Sequence, residues 1–185
     1  MSVEAGDFGA ISKLEAAHRQ LDSALSLWFA DGDSISVHTL VGAAYQIIQD
    51  VSHNRGGPDD LLNSEFVPAR FRDELRGELR RDVLFFRNAD RDAGTLSVLA
   101  PVPTLLFLIL CVQTLRELNE KLTDHQMAFL GWTAVAHPDL VTGAVRNTYA
   151  ALAPEQRALM VSNGKRQFLK DALGNFALLR RQGKL

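Results

Sequence analysis

The chain has 185 residues, enough for one domain with a sizeable hydrophobic core. Apolar residues make up 46% of it and charged residues 23%, a composition typical of soluble globular proteins. The formal net charge is −2, so the chain lacks the overall basic excess of many nucleic-acid-binding domains. A local basic patch is still compatible with this value. The single cysteine, Cys111, excludes an intramolecular disulfide and a cysteine-built metal cage, which fits a reducing cytoplasm.

Helix signals follow one another along the whole chain. Ser12, with Glu15 three residues on, is a capping-box pattern, and Ser34 or Ser36 is the expected cap of the next helix. We expect helices over residues 12–30, 34–53, 68–89, 103–121, 124–136, 140–152 and 165–181, with a short helix starting at Pro154 and a break at Gly164. Strand alternation is missing. The sequence therefore predicts an all-α, single-domain helical bundle of six or seven helices, with parts at 12–121 and 123–185.

One long apolar segment tests the prediction of a soluble protein. Residues 96–112 (LSVLAPVPTLLFLILCV) carry no charge, but they are about a turn short of a membrane span and contain Pro101 and Pro103 in their first half. We expect a buried central helix here, with Cys111 as an inert core residue, and no membrane partner. The N-terminus lacks the basic-then-apolar pattern of a secretory signal, so a cytoplasmic location is expected.

The histidines offer little support for catalysis or metal binding. His38 and His53 lie fifteen residues apart on one predicted helix, or about 22 Å, so they do not share a metal ion. Zinc-protease motifs, phosphate-binding glycine loops and nucleophile elbows are missing, and we predict no metal site and no cofactor. Each histidine is expected to be a surface or capping residue. His38 stands out because Tyr45, seven residues on, shares its helix face.

The predicted helix over 68–89 is rich in arginine and in acidic residues. One interpretation is a solvated face held by ion pairs such as Asp73 with Arg76; the other is an arginine patch for phosphates. The helix ends in residues 85–92, which read FFRNADRD. These residues either cap the helix end or form a polar pocket for an anionic group. The candidate binding residues are Arg81, Arg87, Asn88, Asp90, Arg91 and Asp92, together with His38 and Tyr45.

Three segments resemble a group of uncharacterised bacterial proteins. Residues 28–33 (WFADGD), 37–45 (VHTLVGAAY) and 84–92 (LFFRNADRD) correspond to the group's W/F-F-x-x-x-D, H-T-L-x-x-A-A-Y and N-F-F-K-H-A-D-R-D segments. The resemblance spans about residues 21–92. The group's helix ending in N-x-x-K-H is similar to the HEPN superfamily of small helical bundles. Many HEPN proteins are metal-independent ribonucleases that act as dimers, which implies a homodimer and an RNA or nucleotide partner for residues 12–121.

The chain departs from that pattern at the residues that carry the chemistry. Asn88 stands where the motif has histidine, and Leu84 stands where it has asparagine. An asparagine side chain does not accept a proton near pH 7. The resemblance therefore implies a non-catalytic HEPN-like protein that binds RNA, a nucleotide or a protein. The alternatives are a metal-independent ribonuclease or nucleotide-modifying enzyme that uses His38, Arg87, Asn88 and Asp90, and a structural or regulatory bundle unrelated to nucleic acid.

Overall fold

The computed structural model describes residues 10–64, 67, 69–77, 101–141 and 143–185. Throughout these residues the regular structure is helical and no strand occurs, which confirms the all-α class. The helices are α1 (Lys13–Phe29), α2 (Ser34–Asn54), α3 (Pro101–Glu117), α4 (Asp124–Ala136), α5 (Gly143–Ala150) and α6 (Pro154–Arg181). Residues 72–77 are also helical, and single 3-10 turns lie at Leu61–Asn63, Ala69–Phe71 and Pro138–Leu140.

The first two helices pack against each other and are joined by a tight turn. Ser12 caps α1 as predicted, because its hydroxyl accepts a hydrogen bond from the Glu15 amide at 3.0 Å. The predicted serine cap of α2 is wrong. Asp33 caps this helix, and its carboxylate accepts from the Ser36 amide at 2.7 Å. An ionised carboxylate both accepts the bond and interacts favourably with the positive end of the helix dipole.

The apolar segment forms the central helix. Every residue from 106 to 115 is buried, and α2 packs along α3 while α1 and α4 also contact it. Helix α3 is described from Pro101, so helical structure is present two residues ahead of the predicted start at Pro103. It ends at Glu117 rather than residue 121, and Asn119 has φ 57, outside helical values. None of the helices in the described ranges combines the length and apolarity needed to cross a bilayer.

Helices α4, α5 and α6 pack together as a second layer. Both α5 and α6 pack against α4, which begins at a capping box of Thr123 and Gln126. Helix α6 is interrupted at Gly164, as predicted, where φ is 81 and ψ is 160. This conformation is restricted almost entirely to glycine. The interruption changes the direction in which the next side chains, starting with Lys165, leave the helix.

Candidate functional site

Most of the residues predicted for the site lie outside the described ranges. These are Arg81, Arg87, Asn88, Asp90, Arg91 and Asp92. Their roles stay predictions, as does the helix proposed beyond residue 77. The structure describes the other two candidates, His38 and Tyr45, together with the beginning of the arginine-rich helix.

His38 lies in the interface between α2 and α3 and is only 1% exposed. Its Nδ1 atom is 2.9 Å from the hydroxyl oxygen of Thr104, and its ring meets the edge of Phe107 at 6.0 Å between centroids. The prediction that His38 is a surface or capping residue is therefore wrong. The apolar face of α2 continues through this position, so the imidazole is enclosed by α3. Its hydrogen bond links the two helices.

Tyr45 occupies the same α2 face as His38, as the spacing predicted. Its ring centroid is 5.6 Å from that of Phe107, and its hydroxyl donates to Gln49 one turn further along. Burial raises the pKa of the Tyr45 hydroxyl above its usual range, and the nearby Asp60 carboxylate adds to the rise. The phenol therefore stays protonated throughout the physiological range, and it can donate a hydrogen bond within the core.

Two of the three described arginines of the predicted patch, Arg72 and Arg76, make hydrogen bonds within the protein, whereas Arg70 lies over the Phe71 ring. Arg76 donates to the Asp60 carboxylate from Nη2 at 3.0 Å and to Asp73 at 3.0 Å, which confirms the predicted Asp73–Arg76 pair. Arg72 donates to the carbonyl oxygens of Ser64 at 3.2 Å and Val67 at 3.3 Å. These arginines attach the start of the helix to the preceding loop, so this part of the chain favours the ion-pair interpretation.

A cleft of about 300 Å³ opens between the α1–α2 turn, the start of α3 and α6. Its walls include the Trp28 ring and the polar side chains of Asp31, Ser34, Thr104 and Lys165. The bond from Thr104 to the buried imidazole of α2 connects the cleft to the core. The cleft thus brings together an aromatic ring, an ammonium group, a carboxylate and two hydroxyls.

Lys165 is the central group of this cleft. Its ammonium nitrogen lies 4.2 Å from the Trp28 ring centroid, a cation–π contact, and 2.8 Å from the Asp31 carboxylate. The neighbouring Arg166 donates to the Ala30 carbonyl oxygen at 2.6 Å. The hydrogen bond and charge of Lys165 hold the pKa of Asp31 below its usual range. The two cations thereby connect α6 to the C-terminal end of α1.

Only indirect features of the sequence point to this cleft. Trp28 and Asp31 belong to the WFADGD segment, which carried the family resemblance but no proposed role. Lys165 lies in the last predicted helix and was not among the predicted site residues. The glycine break at 164 was the one local feature that marked Lys165, since it separates this residue from the regular helix before it.

The described part of the chain contains no group of three histidine, cysteine, aspartate or glutamate side chains arranged to hold a metal ion. Comparison with protein-family models, with curated proteins and with solved structures finds no match to the chain. The HEPN-like resemblance therefore stays a prediction from three short segments.

Proposed function

We propose that the chain is a non-catalytic helical binding protein whose Trp28–Lys165 cleft receives a nucleotide or one nucleotide unit of an RNA. The observation that carries this proposal is the ammonium group of Lys165 lying against the indole ring in the lining of a cavity of about 300 Å³. The HEPN-like relationship, a homodimer and a cytoplasmic location belong to the same proposal, and they rest on the sequence alone.

The chemistry of the cleft suits such a ligand. Proteins bind single-stranded nucleic acids by combining cations for the phosphates with aromatic rings on which bases stack. The cleft volume is at the lower end of the range for small-molecule sites, which matches one nucleotide unit better than a longer segment. The hydroxyls of Ser34 and Thr104 add hydrogen-bonding groups that suit a sugar or a phosphate.

The Asp31–Lys165 pair sets how a phosphate would bind. The Lys165 side chain is 22% exposed and the Asp31 side chain 65% exposed, so the pair is accessible to solvent on the aspartate side. The more exposed Asp31 carboxylate would turn towards solvent, and a phosphate would take its place beside the Lys165 ammonium group. Arg166, which lies 3.7 Å from the same carboxylate, places a second cation beside the exchanged group.

The position of His38 supports binding rather than proton transfer. A general base has to reach the proton that it removes from the substrate, whereas this imidazole is buried. Its Nδ1 bond to Thr104 gives it a positioning role, because it fixes the hydroxyl that lines the cleft.

The test is ligand binding by the full-length protein. We would titrate it with adenosine 5′-monophosphate and with a fluorescently labelled single-stranded RNA, comparing Lys165→Met with Lys170→Met, an exposed lysine on the same helix. We expect Lys165→Met to weaken binding about tenfold, since it removes a charge-assisted bond to phosphate, and Lys170→Met to leave it unchanged. Equal losses in both variants, or no binding by the wild-type protein, would remove the proposal and favour the structural-bundle alternative.

Two further outcomes separate the remaining parts of the proposal. Cleavage of the RNA by the purified wild-type protein would support the ribonuclease alternative instead of a non-catalytic protein. Light scattering that shows a monomer at every concentration would remove the homodimer.

A further inference from the structure

A second cavity, of about 270 Å³, lies between α5 and α6. Its lining includes the rings of Tyr149, Phe168 and Phe176, the thioether of Met160, the amide of Asn175 and the carboxylate of Asp171. We propose that this cavity binds a small organic ammonium ion. The proposal is independent of the Trp28–Lys165 cleft and of its nucleotide ligand.

The spacing of the lining residues in α6 explains how the cavity forms. Phe168, Ala172 and Phe176 recur every four residues, so they lie on one face of the helix and pack towards the core. Asp171 and Asn175 also recur at four residues and lie beside this apolar stripe. The helix therefore presents aromatic and polar groups to the same space.

The aromatic wall is held in place by α4. A Cβ atom built at Gly131 would be 2.3 Å from the hydroxyl oxygen of Tyr149 and 3.3 Å from the Phe168 ring, so only glycine allows this approach. The Phe168 ring also meets the edge of Trp132, with centroids 5.5 Å apart and planes at 69°. Two of the three rings, those of Tyr149 and Phe168, therefore pack closely against α4.

The charge of the cavity selects a cation. Asp171 is the one charged residue among the side chains that line the cavity, all of which are described. Gln167 donates to its carboxylate at 2.8 Å, and this neutral partner leaves the negative charge in place. The faces of aromatic rings attract alkylammonium groups, and an adjacent carboxylate adds to this attraction. An anion would meet repulsion, and a neutral apolar molecule would gain only burial.

The experiment compares two ligands of the same shape. Choline and its neutral isostere 3,3-dimethylbutan-1-ol would be titrated into the full-length protein by calorimetry. We expect choline to bind about tenfold more tightly than the alcohol. Asp171→Asn should remove most of this difference, while Asp139→Asn, at another exposed aspartate, should preserve it.

A second variant tests the aromatic contribution. Phe176→Leu keeps an apolar side chain but removes a ring, so it should weaken choline binding several-fold and change binding of the alcohol little. Thermal unfolding of each variant would verify that it is folded. Equal affinities for choline and the alcohol, no binding of choline, or an Asp171→Asn variant that binds like the wild type would each overturn the proposal.

Discussion

Replacing Gln113 by methionine should stabilise the protein, whereas the same replacement at Gln126 should destabilise it. Both side chains are fully buried, at 0% exposure. Within the described residues, neither Nε2 nor Oε1 of Gln113 has a hydrogen-bond partner. The Gln126 amide nitrogen donates to the Asp22 carboxylate at 2.9 Å, and its oxygen accepts from the Thr123 amide at 3.3 Å.

The magnitudes follow from these contacts. Glutamine and methionine have similar shapes and volumes, so repacking costs less than about 1.5 kcal/mol. A buried polar group without a partner costs about 1–3 kcal/mol, and Gln113→Met should therefore raise the free energy of unfolding by about 1–2 kcal/mol. At roughly 2–4 °C per kcal/mol for a chain of this size, the Tm rises by about 2–8 °C. Gln126→Met loses a bond to a carboxylate and a bond to the backbone, and should lower the free energy of unfolding by about 2–4 kcal/mol.

Urea unfolding followed by circular dichroism, with scanning calorimetry for the Tm, measures both variants against the wild type. The m-values should be equal, because neither change alters the surface exposed on unfolding. An unchanged or lowered Tm for Gln113→Met would refute the reasoning, since it would mean that the Gln113 amide contributes favourable bonds in the native state.

Three further predictions concern packing, backbone conformation and charge. Leu106→Asp should unfold the protein, since an unpaired buried charge costs on the order of several kcal/mol. Val102→Asp, at a 49% exposed position of the same helix, should still show a cooperative unfolding transition. A folded Leu106→Asp variant would contradict the central position of α3. Gly164→Ala should lower the free energy of unfolding by about 1–3 kcal/mol, because φ 81 and ψ 160 at this position are strained for a residue with a Cβ atom. Gly174→Ala, inside the regular part of α6, should raise the free energy of unfolding by up to about 1 kcal/mol. Equal effects of the two alanine substitutions on urea unfolding would contradict the kink at Gly164. The hydrogen bond from Arg180 holds the pKa of the Asp124 carboxyl below its usual range. The stabilisation that this ion pair contributes is therefore complete above about pH 4, and it is lost as the pH falls through the lowered native pKa. Asp124→Asn should therefore flatten the acid limb of the Tm–pH curve, and an unchanged limb would contradict the pair.

The features predicted correctly from the sequence depend on residues close together in the chain. The Ser12 cap, the break at Gly164 and the Asp73–Arg76 pair each involve positions within four residues of one another, where helix geometry alone fixes the distance. The apolar central helix followed from a run too long and too uncharged for a surface element. The cap of α2 was missed although it is local, because aspartate and serine both favour this position.

The candidate sites depend on residues far apart in the chain. No periodicity indicates that His38 bonds Thr104, or that Lys165 lies between Asp31 and the Trp28 ring. Such contacts are set by how the helices pack, and packing depends on the shapes of many side chains together. The sequence supplied the chemical groups and their positions on each helix, but their convergence became visible only in the structure.

Helix α6 is joined to the rest of the molecule in an unusual way. None of the residues in α6, all of which are described, is fully buried, although one apolar stripe contacts the core. Ion pairs join it at two places, through Lys165 to Asp31 and through Arg180 to Asp124 at 2.7 Å. This helix should therefore detach as a cooperative unit before the α1–α3 core opens, and its amides should exchange with deuterium earlier than those of α3. Higher ionic strength should widen this difference, because salt screens exposed ion pairs but leaves apolar burial intact.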